Sequence, residues 1–417
     1  MIDVLKEPAP SGASHTQGIA TSVHTGTTHG GSWPSQQQEW LLRAALLGRS
    51  EAIEAWQAWK SEVDLERIDH ASSRLLGLLY RNLRTHGVAD PLMSRFKGVY
   101  RLTWYKNQML FHSIATLQQA LLDAGLLTMV LKGAALTIQY YRDYGLRPMG
   151  DFDVLVRTEQ APAAIALLTQ LGWRPEWRPI ESFVEPLFSV VLGCSFLDTA
   201  GRALDLHWHV LPESTYPGAD LDFWEGAVPM GFLGVPTLAL NPADQLLHVC
   251  AHGTSWSPIS PIRWVADAMT ILNAQVQIDW DRLLTQARKH LLVVPLRATL
   301  CYLRRALDAQ IPPMFMHALQ ATRVSKVDQI EHTIRLTSPR RISGFPLLVL
   351  RYRRYARVAR SQGVQRRPLG FLTFAQHKWG IKHRWQVPFC AVCKCARWVW
   401  IIAAREATRL RRWVSAK

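Results

Sequence analysis

The residues best placed to do chemistry lie in Leu131-Lys-Gly-Ala-Ala-Leu136 and Gly145-Leu-Arg-Pro-Met-Gly-Asp-Phe-Asp-Val-Leu-Val156. Alternation along a strand from Asp151 to Val156 sends Asp151 and Asp153 to one face and Phe152 and Val154 to the other. Two carboxylates on one face can share hard cations, which prefer oxygen ligands. A third is offered by Ala203-Leu-Asp-Leu-His-Trp-His-Val210, where Asp205, His207 and His209 would share a face. An Asp-x-Asp opening a strand often only caps a turn, so the surrounding order of elements carries the weight. Leu127 to Leu131 reads as a buried strand ending at Lys132-Gly133, and Ala134 to Tyr141 as a helix. A phosphate can meet a helix N-terminus there, and Gly133, lacking a Cβ, permits close approach. Arg147 stands four residues before Asp151, placed either for phosphate oxygens or simply as a surface residue before a proline turn.

These residues need a frame, and the chain supplies one in segments. Residues 1–35 are rich in Gly, Ser, Thr, His and Pro and read as disordered. Residues 36–126 have helical periodicity, as in Trp40, Leu41, Ala44, Ala45 and Leu47, and predict a helical lobe. Residues 127–240 predict a small α/β core, with strands at 127–131, 151–157, 186–197, 203–210 and 235–240 and a helix from Gln160 to Leu171. Residues 241–325 return to helices, opened by Asn241-Pro242, an N-cap followed by a first-turn proline. The expected fold class is α+β: a small mixed sheet flanked by N-terminal and C-terminal helical lobes.

The last segment, 326–417, is basic, aromatic-rich and mainly helical in pattern. From Lys326 onward there are 21 Lys or Arg against Asp328, Glu331 and Glu406, a net of +18. The other 27 basic and 29 acidic residues leave −2 for residues 1–325, so the tail holds all of the chain's +16. Arg351 to Arg360 and Ala396 to Arg405 mix basic with aromatic or aliphatic residues, a pattern that suits nucleic acid phosphates, an anionic membrane surface or a solvated face. His248 and His252, four apart on a helix, suit a metal pair or a lining of the cleft together with Arg263 and Asp267; the adjacent Glu of zinc proteases is absent. Cys390, Cys393 and Cys395, with His377 and His383 upstream, lack a second ligand pair at zinc-finger spacing and read as incidental thiols.

At 417 residues and 48% hydrophobic composition, two or three domains with a large core are expected. Six cysteines in such a chain make no disulfide framework, and no signal peptide is legible, so a cytoplasmic location is the expectation. Charges interrupt every apolar window, which argues against a membrane span.

The motifs Leu-Lys-Gly-Ala-Ala-Leu, Leu-Arg-Pro-Met-Gly-Asp-Phe-Asp-Val-Leu-Val and Leu-Asp-Leu-His-Trp together resemble an uncharacterised nucleotidyltransferase family of the DNA polymerase β superfamily. The resemblance implies a catalytic set of Asp151, Asp153 and Asp205 holding two magnesium ions. It implies in-line attack of an acceptor hydroxyl on the α-phosphorus of a nucleoside triphosphate, with ATP the expected one, releasing pyrophosphate. Lys132, Gly133 and Arg147 would contact the nucleotide. The commoner Gly-Gly or Gly-Ser turn of the superfamily is here Lys132-Gly133-Ala134, without the hydroxyl that often touches phosphate. The acceptor could be a small molecule, peptide or glycan; transfer to protein or a tRNA-like acceptor, and a scaffold without turnover, are the alternatives.

Overall fold

The computed structural model describes residues 33–176, 179–212, 214–255, 257, 262–337, 345–361, 369–397 and 399–400. The expected disorder of 1–35 falls almost wholly outside these residues.

Short apolar runs between helices assemble into one mixed sheet. Its strands are β1 (Thr128–Val130), β2 (Asp151–Val156), β3 (Arg174–Pro175), β4 (Gly193–Leu197), β5 (Ala203–His207), β6 (Val228–Phe232) and β7 (Val235–Ala239), in the order β3-β4-β5-β2-β1-β7-β6. β2 runs parallel to β5 and β1 parallel to β7, while the remaining neighbours are antiparallel. The fold is α+β, with helices on both faces of the sheet.

The period of two in β2 decides what each face meets. Phe152, Val154 and Val156 are fully buried in a core shared with the second half of the helix Met93–Asp123, the helix Ala161–Gln170 and the C-terminal helices. Leu155, with Met129 and Leu131, joins a second core built by the helices Gln36–Leu46, Arg49–Glu62 and Leu76–Thr85 and by those from Pro242–Gly253 to Pro313–Ala321. Asp151 and Asp153 therefore look toward the helical lobes. The helix Met93–Asp123 serves both cores, Phe96 in one and Phe111 to Leu121 in the other.

Three local features differ from the sequence expectation. Residues 186–197 hold a helix, Glu185–Phe188, before β4, because Pro186 sits in a first turn where its missing N–H costs nothing. β6 and β7 form a hairpin whose connecting Leu233 and Gly234 both have positive φ (48° and 88°), the geometry of a tight two-residue turn. Pro229 and Gly231 hid β6 from a propensity reading. His209 does not share the face of Asp205: the N–H groups of Trp208 and His209 both donate to the Leu192 carbonyl (3.1 and 3.2 Å), a bulge that ends the alternation. His209 instead lies fully buried between Asp220 and the Phe188 carbonyl.

The basic C-terminal segment is joined to the sheet core. Tyr355 and Val358 of the helix Phe345–Ser361, and Phe374 of Phe371–Trp379, are buried in it. Arg354 donates to the carbonyls of His290 and Leu291 and pairs with Glu331, while Arg357 pairs with Asp328 and Glu331. Among the described residues no helix is long and apolar enough to cross a membrane.

Candidate metal and phosphate site

Parallel pairing of β2 with β5 sets Asp153 directly opposite Asp205, Asp151 opposite Ala203 and Leu155 opposite His207. β4 adds Ser195 opposite Asp205 and Gly193 opposite His207. A polar row thus crosses three strands on the face turned to the helical lobes. Ser195 Oγ donates to Asp205 Oδ1 at 2.6 Å, which fixes that carboxylate. A Cβ on Gly193 would stand 2.4 Å from the Leu206 carbonyl and 2.9 Å from His207 Cα, so only glycine lets the strands close beside His207.

Lys132 enters from the turn after β1. Its φ of 45° lies in the left-handed region, unusual for a residue with a side chain, and such strain concentrates at functional turns. Its Nζ is 2.5 Å from Asp153 Oδ1 and 3.5 Å from His207 Nε2, and His207 Nε2 is 3.0 Å from the same carboxylate oxygen. Burial alone would raise the Asp153 carboxyl, but the Lys132 ammonium and His207 outweigh it and hold the group well below the usual carboxylate range. Burial would lower Lys132, yet Asp153, Asp205 and Asp151 together raise it. Asp151, at the exposed start of β2, is raised by desolvation and by the like charges of Asp153 and Asp205.

One donor atom each from Asp153, Asp205 and His207 lies within 4.8 Å of the others, the one such grouping of three among the described residues. The donor set fits a divalent cation: two carboxylates and an imidazole converge, and the mutual repulsion felt by Asp151 is what a cation would relieve. Asp151 stands outside this grouping of three and His207 inside it. The alternation that placed Asp205 on this face also carried His207, and the sequence reading gave it no role.

Arg147 is turned away from the carboxylate row. It makes a buried bidentate pair with Asp267 (2.8 and 2.9 Å), to which Tyr141 also donates at 2.9 Å. Arg147 holds the Asp267 carboxyl down against the effect of burial. Gly133 serves this packing, since an added Cβ would meet Arg147 Nη1 at 2.5 Å and the Met149 sulfur at 2.9 Å. Asn107, fully buried on the long helix, donates to the carbonyls of Tyr144 and Arg147 and accepts from the Met149 N–H, fixing the loop that leads to Asp151. A lone Asn on an apolar helix face was its only signal in the sequence.

Two further arginines converge here. Arg263 donates to the Pro148 carbonyl at 2.8 Å, and burial, then Arg147 and Arg74, lower it to about 9. Arg74 is lowered by burial and by Arg147, and both feel Asp151 and Asp267. Three guanidinium groups thus stand close enough to depress one another. His248 and His252 stack with ring centroids 6.3 Å apart. Burial pushes His248 well below its ordinary value, with the neighbouring His252 and Lys132 acting in the same direction. His252 is lowered to about 4 by burial and Lys132, so the pair borders the site. Cys390, Cys393 and Cys395 join no grouping of metal-ligating residues among the described ones.

The mixed sheet thus presents a carboxylate row beside the Lys132 turn and a cluster of three arginines. The chain belongs to the family described as uncharacterised nucleotidyltransferases, whose model matches residues 70–308. No curated protein matches it. Among solved structures, an antigenic nucleotidyltransferase-like protein from Paracoccidioides brasiliensis aligns with 52% of this chain and 94% of its own, at 13% identity and a TM-score of 0.34.

Proposed function

We propose that the protein transfers a nucleoside monophosphate from a nucleoside triphosphate, ATP in the first instance, to a hydroxyl of a small-molecule, peptide or glycan acceptor, with magnesium. The observation that carries this reading is the register of β2 on β5, which sets Asp153 against Asp205 with Asp151 at the mouth. In this reading Asp151, Asp153 and Asp205 hold the divalent ions, with His207 a further ligand beside Asp153 and Asp205. Magnesium bound there would neutralise phosphate oxygens and sharpen the acidity of a hydroxyl. Lys132, paired with Asp153, would supply a point charge to a triphosphate oxygen if a cation held the carboxylates. Arg74 and Arg263 receive the rest of the polyanion. Arg147, spent on Asp267, positions the turn around Gly133. Asp205, with one oxygen held by Ser195, keeps the other to take the acceptor's proton.

The test is thermal unfolding with ATP, GTP, CTP and UTP, with and without magnesium, on wild type and on Asp205→Asn. A ligand at about a hundred times its Kd stabilises by about 2.7 kcal/mol, an easily read shift. A magnesium-dependent rise with one nucleotide, lost in the variant, is the expected result. No rise with any nucleotide would sink the proposal.

A further inference from the structure

The C-terminal segment carries a surface that the catalytic reading does not use. A 3₁₀ turn, Arg384–Gln386, leads into helical residues 387–397. Val387 is buried in the sheet-side core and seats this helix, and Lys394 lies over the Trp379 ring at 5.4 Å. The opposite face should then be polar. Instead it presents Trp385, Phe389, Val392, Val399 and Trp400, between 58% and 70% exposed. Their spacing of four, three, seven and one residues follows a single helical stripe. Trp385 and Phe389 are already paired edge to face at 6.1 Å.

The charges beside the stripe are of one sign. Lys382, Arg384 and Arg397 are exposed around it, and the sequence contains no Asp or Glu between Glu331 and Glu406. An apolar centre with cationic edges, rich in Trp, matches the boundary between anionic headgroups and acyl chains. A nucleic acid needs the reverse, cations at the centre of the face to neutralise phosphates. On the neighbouring helix Phe345–Ser361, Arg354 and Arg357 are engaged with Glu331 and Asp328 inside the fold, and the exposed Arg351, Arg353 and Arg360 lie apart from the stripe in sequence. We infer that the exposed stripe of Trp385, Phe389, Val392, Val399 and Trp400 docks the protein on an anionic lipid surface, lying in the interface without crossing it.

The experiment is co-sedimentation of the full chain with phosphatidylcholine vesicles, with and without phosphatidylglycerol, over a range of salt. Wild type should bind the phosphatidylglycerol vesicles and release as salt rises. The triple variant Trp385→Ser, Phe389→Ser, Trp400→Ser should lose on the order of tenfold or more in partitioning, its apolar contacts being gone. Because these side chains are exposed, its Tm should match wild type. Arg384→Glu with Arg397→Glu keeps the stripe and should lose the preference for phosphatidylglycerol. Failure of wild type to sediment with either vesicle overturns the inference, as does unchanged binding by the triple variant. A shift from dimer to monomer in the triple variant without vesicle binding would assign the face to a second copy. Retention on duplex RNA without lipid binding would assign it to nucleic acid.

Discussion

The carboxylate row on β2 and β5 and the C-terminal segment bearing Trp385, Phe389 and Trp400 both depart from ordinary protein design, in opposite senses. At the row, charges are drawn inward and two of its carboxylates are answered, Asp153 by Lys132 and His207 and Asp205 by Ser195, while Arg147 pairs with Asp267 behind it. At the segment, apolar side chains are pushed outward and nothing in the described fold covers them. Burying a charge costs several kcal/mol unless it is paired, and exposing large aromatics forgoes about 25 cal/mol per Å². A charged cluster held inside suits a ligand of complementary charge, and an apolar stripe held outside suits a surface that removes it from water. The two regions should therefore fail independently.

The largest break expected is at the row. Asp205→Asn should lower transfer by about a thousandfold, since the charge stabilisation a carboxylate-held cation supplies is several kcal/mol and each 1.36 kcal/mol is a factor of ten. Its binding to vesicles should be unchanged; loss of both together would show that the regions are coupled.

Next comes the support behind the row. Arg147→Met leaves Asp267 buried without its guanidinium and should destabilise by about 3–5 kcal/mol in urea unfolding. Arg147→Met combined with Asp267→Leu should recover much of that stability and little of the activity. Full recovery of activity would deny Arg147 its positioning role.

The smallest concerns the seam between core and C-terminal segment, where Arg354 donates to the carbonyl of His290. His290 is buried against Phe223 and lowered to about 4, burial being the main cause. A base depressed on folding stays neutral in the fold and charges when unfolded. Its contribution is complete above the unfolded pKa of about 6.5 and is lost as pH falls toward 4, amounting to about 3 kcal/mol. Unfolding free energy measured from neutral pH down to about 4 should fall less steeply in His290→Gln. An unchanged slope would place the acid sensitivity elsewhere.

Local patterns were enough for the helical lobes, the Asn241-Pro242 start and the two faces of β2, because periodicity reports which side of an element meets the core. That Asp151 and Asp153 share one face was likewise legible, for a strand's alternation is a local property; His207, which joins Asp153 and Asp205, had been given no role. His209 shows the limit: the bulge that turns it toward Asp220 depends on where Leu192 lies, 17 residues earlier across the β4–β5 hairpin. Arg74 and Asn107 carried little signal for the same reason, their roles arising from contacts with loops far along the chain.

By itself, the sequence determined the classes of element, the family and the carboxylates that could meet a cation, since these follow from residue type and spacing. Only the tertiary structure decided that Asp153 faces Asp205 in register, that Lys132 and His207 reach the same oxygen, that Arg147 belongs to Asp267, and that the stripe from Trp385 to Trp400 faces water. Register, pairing of charges and exposure are properties of what packs against a residue, and packing joins segments that the chain keeps apart.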